Sequence, residues 1–544
     1  MVSTAIALAV VAGYAGYVLR FATNGIYWDE WNWVELLSKT NAGSLNFGDL
    51  WHQHNENRIL FPNLIALGAS GATGFNDLAF VYLGAIFLIA AVLLLVFALR
   101  EELLEHPFAY LPVIFVLFSL AQYENALWGF QFNWFMVEAC IAGTLALLSG
   151  TRLSWWRFLP AVALGVIASF SLLQGLTIWA AGLLPLLRPG TAGKWRISWY
   201  GAGVVSVGLY VNGLDFNAIS GPPLKEFPSR LPTAIEGFFV AIGSVVPDLT
   251  QLGQSASGLL VTTVAGVIIA LAGAAVVALW FLSGRSDRVL TVAAALVAVA
   301  VLFDLMLMPG RLSAGVVNGT VSRYTTFNLL LLAGVYIGAV RMLMIAREGR
   351  VPQRVAPSGV FAGLMFTLVC IQLPTSFHSG LIDGSTTRAY HLEAANLTAN
   401  YQVAPPSMVA IFVYPPSYDY FQTQARFLES HGLNVFGDGE SSTYQRTGVV
   451  DGGVVTSPLP VPAEFGPIKT DPGEWRAWLA LSSVYEQRPD LQAAFPGSSL
   501  QTSRQMVAWA LRSGLDPADP VDSAVLLPYA TQYRVWLAEE TAPL

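Results

Sequence analysis

Cysteine is nearly missing from this chain. Cys140 and Cys370 both sit in apolar runs, so neither a disulfide framework nor a thiolate metal centre is expected. Charge is scarce as well: Asp, Glu, Lys and Arg make up 12% of 544 residues, about half their usual share in soluble domains. Among the 28 cationic residues only Lys39, Lys194, Lys225 and Lys469 are lysines, and the net charge is −7. That balance offers no basic surface and excludes nucleic acid as a partner. Nucleotide-binding motifs are absent too.

What the chain does have is apolar length. Hydrophobic residues make up 54% of it, with a mean hydropathy of +0.55, so the solvent to consider is a lipid bilayer. Crossing about 30 Å of hydrocarbon takes roughly 20 apolar residues, fewer for helices buried in a bundle. About eleven segments qualify on that basis. They are residues 2–21, 78–99, 107–120, 134–148, 158–173, 176–187, 197–211, 259–282, 289–308, 324–344 and 360–373. The first lacks a basic leader and is expected to be a permanent span. The expected fold is an all-α polytopic membrane protein over residues 1–374, with an outer loop at 22–76. Residues 375–544 are expected to form an extracytoplasmic domain, mainly helical or α+β.

Arginine and lysine set the expected orientation, because positive charge is retained on the cytoplasmic side. With the N-terminus inside, the short basic connections RPGTAGKWR and RSDR fall in the cytoplasm, while the long aromatic loops face outward. In a bacterium this places the chain in the plasma membrane with its C-terminal domain outside.

The first outer loop, from Tyr27 to Asn63, holds Asp29, Glu30, His52, His54, Glu56 and Arg58 among five Trp and Tyr side chains. Ionisable clusters beside a bilayer are costly and usually functional. Residues 31–37 are expected to form an amphipathic helix anchored in the headgroups by Trp31 and Trp33. This would hold Asp29 and Glu30 at the water boundary, where a partly desolvated carboxylate can take a proton from a hydroxyl. A solvated helix N-terminus is the plainer use of such an acidic pair. His52, His54 and Glu56 alternate, so an extended backbone would point all three to one side. Either a divalent cation or a polyhydroxylated ligand suits such a face. Asn55 and Arg58 extend it, and a cap on the helix starting near Pro62 is the plainer reading.

Two more stretches join this loop. QYENALWGFQFNW at 122–134 interleaves Glu124, Asn125 and Gln131 with Trp128 and other rings. Interfacial belts explain the rings but not the amides. The turn SLLQG adds Gln174, and PGRLSAGVVNGTVSRYTTF places Arg311, Arg323 and Tyr324 at the outer ends of two spans. Either guanidinium can clamp a phosphate or snorkel to headgroups. The apolar run 234–246 is too short for a span and is expected to be interfacial or re-entrant. In the tail, a helix is expected at 386–401 and another near 418–431. A Gly- and Pro-rich connector over 437–473 and amphipathic helices over 474–544 follow.

A first outer loop opening with WDEW at 28–31, then an amphipathic helix, many spans and an outer tail, resembles the membrane-embedded glycosyltransferases of the GT-C fold. HNENR, ENALWGFQ and SRYTTF also resemble stretches of bacterial membrane proteins grouped with that fold, and EQRPDLQAAFP with MVAWAL resembles a helical segment accompanying such transferases. The resemblance implies a polyprenyl-phosphate sugar as donor, and a glycan, glycolipid or protein as acceptor. By the same resemblance Asp29 matches the catalytic acidic residue, the general base, and Glu30 its neighbour. An arabinofuranosyl or mannosyl transferase of the cell envelope is the expected kind. A transporter or flippase of lipid-linked saccharides, or a non-catalytic glycan-binding protein, is the alternative. Internal repeats and mid-membrane polar groups, which a transporter commonly shows, are not apparent in the sequence.

Overall fold

The computed structural model describes residues 2–437 apart from 151, 216–226, 247–255, 312–315, 348–357, 400, 403 and 405–408. The connector and helices expected beyond 437 therefore lie outside the described residues, as does most of the loop on either side of the 234–246 run. Among the described residues the fold is helical, with one two-stranded hairpin.

In chain order the helices are α1 Val2–Phe21, α2 Trp31–Asn41, α3 Phe47–Trp51, α4 Leu60–Thr73, α5 Asp77–Ala98 and α6 Arg100–Glu105. There follow α7 Pro107–Leu117, α8 Tyr123–Leu127, α9 Phe132–Leu148, α10 Trp155–Ser169, α11 Thr177–Leu186 and α12 Gly193–Val211. Next come α13 Phe227–Gly243, α14 Ala256–Leu282, α15 Arg288–Arg311, α16 Ser322–Arg347 and α17 Ser358–Ala399, with a further helix at Tyr418–Ser430. Local chemistry sets their ends. Asn76 caps α5 through Leu78 N at 3.0 Å, Asn46 and Asp49 cap α3 reciprocally, and Gly74, at φ +61°, closes α4.

All eleven expected spans fall on helices, and among the described residues eight helical segments are long and apolar enough to cross a membrane, with two shorter apolar ones besides. The described residues thus form a multi-pass, predominantly helical membrane protein. Helices α9 and α16 form its centre, buried along almost their whole length. Close approach replaces the hydrophobic effect as the packing force within a bilayer. Gly243 of α13 and Gly266 of α14 lie against each other's helix backbone, where any Cβ would collide with a carbonyl. The expected interfacial run is therefore part of a helix packed on α14.

The bundle has two polar ends. At one, Arg341 bridges Asp287 at 2.8 Å and Glu102 at 3.3 Å, and Arg288 meets Glu101 at 3.0 Å. Arg323 starts the other end of α16, about 27 Å away at 1.5 Å per residue. That separation matches the thickness of a hydrocarbon core.

Helix α17 runs unbroken through Pro374 to Ala399, so the boundary expected at residue 374 falls inside one helix. The helix expected at 386–401 is its second half. Beyond it the chain turns back over the first loop. The helix Tyr418–Ser430 sets Phe421 edge-on to Trp31, with ring centroids 5.5 Å apart. Tyr420 Oη donates to Trp31 O at 2.9 Å. Trp33 is enclosed by Phe80, Phe130 and Phe132. Both tryptophans are 1% exposed, so they are core residues of a cap and not headgroup anchors. Periodicity located the apolar face of α2 correctly, but protein covers it.

Candidate functional site

The chain enters the site through a single 3-10 turn, Trp28–Glu30, in which Trp28 takes φ +50°. The turn sends its two carboxylates in opposite directions. Glu30 points inward, 1% exposed, and accepts from Tyr27 N at 2.7 Å and from Phe130 N at 2.9 Å. Asp77 lies against it, and Gly129 packs so closely on Asp77 that no side chain would fit there. Burial, and then the neighbouring Asp77 carboxyl, pushes the Glu30 carboxyl well above the usual range. Glu30 ties the turn to α5 and α9, so of the expected pair only Asp29 faces the cavity.

Asp29 points outward into a cavity of about 620 Å³. Its Oδ1 lies 3.3 Å from His54 Nε2, an ion-pair distance without an aligned hydrogen bond. Asn32 Nδ2 donates to Asp29 O at 3.0 Å and meets His54 Nδ1 at 3.1 Å. The carbonyl can only accept, so this nitrogen is the donor, and His54 Nδ1 is the acceptor. The neutral ring then carries its proton on Nε2, facing Asp29. Phe130 holds the ring from the side at 5.4 Å.

His54 reaches this place because the chain forms a hairpin there: β1 Gln53–His54 pairs antiparallel with β2 Asn57–Arg58. Asn55 turns the corner at φ +50°, a conformation asparagine tolerates better than most. The turn overturns the expected single face of His52, His54 and Glu56. His52, His54 and Asn55 line the cavity, and Glu56 does not. Among the described residues no three His, Cys, Asp or Glu side chains are grouped to hold a metal ion. Arg58 does not line the cavity either. It is 3% exposed and donates to the carbonyls of Tyr210 at 2.8 Å, Trp51 at 2.9 Å and Asn212 at 2.7 Å. Its role is to brace the hairpin against α12.

The opposite wall comes from the starts of the two central helices. Gln131, just before α9, and Arg323, in the first turn of α16, both line the cavity. Arg323 pairs with Glu124 at 3.2 Å, and its guanidinium lies 5.6 Å from the Trp28 ring. Glu124 also accepts from Arg323 N at 2.9 Å, and Asn125 donates to Arg323 O at 2.8 Å. These two residues hold the arginine and do not face the cavity. Trp128 lines it, stacked on Trp28 at 5.8 Å and 12°. The indole nitrogen of Trp128 and the Gln131 Oε1 are buried there without a protein partner.

Two further expected residues lie elsewhere, and the side chain of a third is not described. Tyr324 is buried among Trp134 and Phe303, and Gln174 is buried in the turn before α11. Arg311 ends α15, and its side chain is outside the described residues. Sequence reasoning missed Asn32, whose position one turn after Asp29 was a signal, and the wall formed by Tyr414, Pro415 and Pro416.

Comparison of the chain with protein families, with curated proteins and with solved structures finds no match in any of the three. The site's own chemistry is therefore what speaks to function. One half-open cavity contains a carboxylate with an imidazole beside it, a guanidinium at the positive ends of two helices, and stacked indoles. The carboxylate can accept a proton with the imidazole N–H beside it, the guanidinium and helix starts suit an anion, and the rings and amides suit a polyhydroxylated ligand.

Proposed function

We propose that the protein is a membrane glycosyltransferase. It moves a sugar from a polyprenyl-phosphate donor to a glycan, glycolipid or protein acceptor on the outer face, with Asp29 as general base. The observation that carries this reading is that Asp29 and Arg323 share one cavity, with Trp28, the residue before Asp29, in contact with the Arg323 guanidinium. In the reaction an acceptor hydroxyl attacks the anomeric carbon while Asp29 takes its proton. The bond from that carbon to the phosphate oxygen breaks, and its electron pair leaves on the lipid phosphate. Arg323 and the starts of α9 and α16 offset the charge gathering there. One displacement inverts the sugar centre. An arabinofuranosyl or mannosyl unit is the sugar class proposed.

A specific observation keeps the transporter reading alive. Glu138 in α9 and Asp304 in α15 are buried carboxyl groups within spans, 2% and 0% exposed, contrary to the expectation that such groups gather at one end. Intramembrane carboxyls of this kind mark translocation paths in many transporters. Proteoliposomes separate the two readings. Supplied with short-chain polyprenyl-phosphate sugars and an acceptor, a transferase forms product on the side where donor and acceptor meet. A flippase moves the donor across the bilayer and forms none.

A further inference from the structure

Six non-glycine residues among those described have positive φ, and three of them, Trp28, Asn55 and Tyr414, line the one cavity. Asparagine accepts this conformation readily, but for bulky rings it is strained and persists only where the surroundings enforce it. Strain of this kind gathers at functional sites.

At Tyr414, φ +52°, the enforcement is visible. A π turn over Val409–Val413 precedes it, closed by Tyr414 N donating to Val409 O at 3.0 Å. Val409, Phe412 and Val413 are buried in the cap core, so the turn is anchored from below. Pro415 and Pro416 stiffen the chain immediately after. The result is a tyrosine 52% exposed, its ring edge-on to Trp28 with centroids 4.8 Å apart and planes at 67°. A relaxed backbone would carry this side chain elsewhere. Two strained aromatic residues from distant parts of the chain are thus pressed together at the wall of the cavity.

We propose that Tyr414 is the platform on which the acceptor sugar rests, braced by Trp28 and walled by Pro415 and Pro416. This rests on the glycosyltransferase reading and deepens it. A sugar ring presents one face of C–H groups, and a half-exposed aromatic face is the natural complement. The position suits the acceptor and not the donor. Arg323, with 18% of its side chain exposed, marks the enclosed end for the phosphate, and Tyr414 the open end. Asp29 follows Trp28 directly, which puts the base at the junction of the two.

Binding measured apart from turnover tests this. Full-length protein in nanodiscs would be titrated with α-linked mannobiose and arabinofuranobiose, and separately with a short-chain polyprenyl phosphate. The variants are Tyr414→Phe, Tyr414→Ala and Tyr414→Gly, the last relieving the strained φ and so protecting the fold. The expected result is disaccharide affinity at least tenfold weaker in the Ala and Gly variants and within twofold of the parent in Phe. Polyprenyl-phosphate affinity stays within twofold in all three. Parent-like disaccharide affinity in Tyr414→Gly, with sugar transfer intact, would overturn the platform and leave the transferase reading standing. A parent that binds neither disaccharide and transfers no sugar would overturn both.

Discussion

Asp29 Oδ1 and His54 Nε2 lie 3.3 Å apart, and Asn32 fixes which imidazole nitrogen faces the carboxylate. In the proposed reaction, His54 orients the Asp29 carboxylate and turns its Nε2 proton toward it. His54→Ala is expected to lower kcat on the order of ten- to a hundredfold, the usual consequence of a misplaced catalytic group, with KM for the donor little changed. His54→Gln can place an N–H near the Nε2 position and should recover much of the loss. Steady-state kinetics on the two variants check this.

Glu30, the neighbour of Asp29, is expected to behave as a structural residue. Glu30→Ala orphans the N–H groups of Tyr27 and Phe130, at about 1–3 kcal/mol for each buried donor left without a partner, and thermal unfolding in nanodiscs should show it. The sign of the pH effect follows from the raised folded pKa. Above the ordinary glutamate value the folded protein holds a proton that the unfolded chain has released. Stability from this group is thus fully present below that value and falls as pH rises toward the folded pKa. Glu30→Gln should flatten that slope.

Arg323 should set donor affinity. Arg323→Ala is expected to raise donor KM or Kd about ten- to a hundredfold, in line with loss of a charge-assisted hydrogen bond. Arg323→Lys keeps the charge but not the planar fork and should recover only part. Glu124→Gln, which loosens the arginine without removing it, should give a smaller shift. Isothermal titration with a short-chain polyprenyl phosphate reads all three.

Arg58 provides the contrast. It satisfies three backbone carbonyls between the hairpin and α12, so Arg58→Ala should lower unfolding temperature clearly. At temperatures where the variant remains folded, donor affinity should stay within about twofold, because the residue does not line the cavity. A loss of donor binding at full stability would return Arg58 to the binding role expected from its sequence neighbourhood.

The helices were legible because hydropathy reports apolar length directly, and the place of Asp29 and Arg323 beside one cavity was legible because charge beside a span has few structural uses. Other features depend on contacts that periodicity does not carry. Alternation in HQHNE implied an extended strand, but Asn55 turns the chain between His54 and Glu56. Trp31 and Trp33 read as membrane anchors because an apolar face looks the same whether lipid or protein covers it. Arg58 read as a ligand because its carbonyl partners, Tyr210 and Asn212, lie far along the chain. Tyr414 carried no signal beyond a Tyr-Pro-Pro turn, since its place depends on Trp28 and on a strained φ.

The central claim is that Asp29 is the base of a sugar transfer from a lipid phosphate. The direct test is turnover of a short-chain polyprenyl-phosphate sugar by the purified protein and by its Asp29→Asn variant, with donor Kd measured on both. The account predicts product from the parent, a loss of about a hundredfold or more in the variant, and donor Kd within a few-fold of the parent. Equal turnover by the two proteins would contradict it.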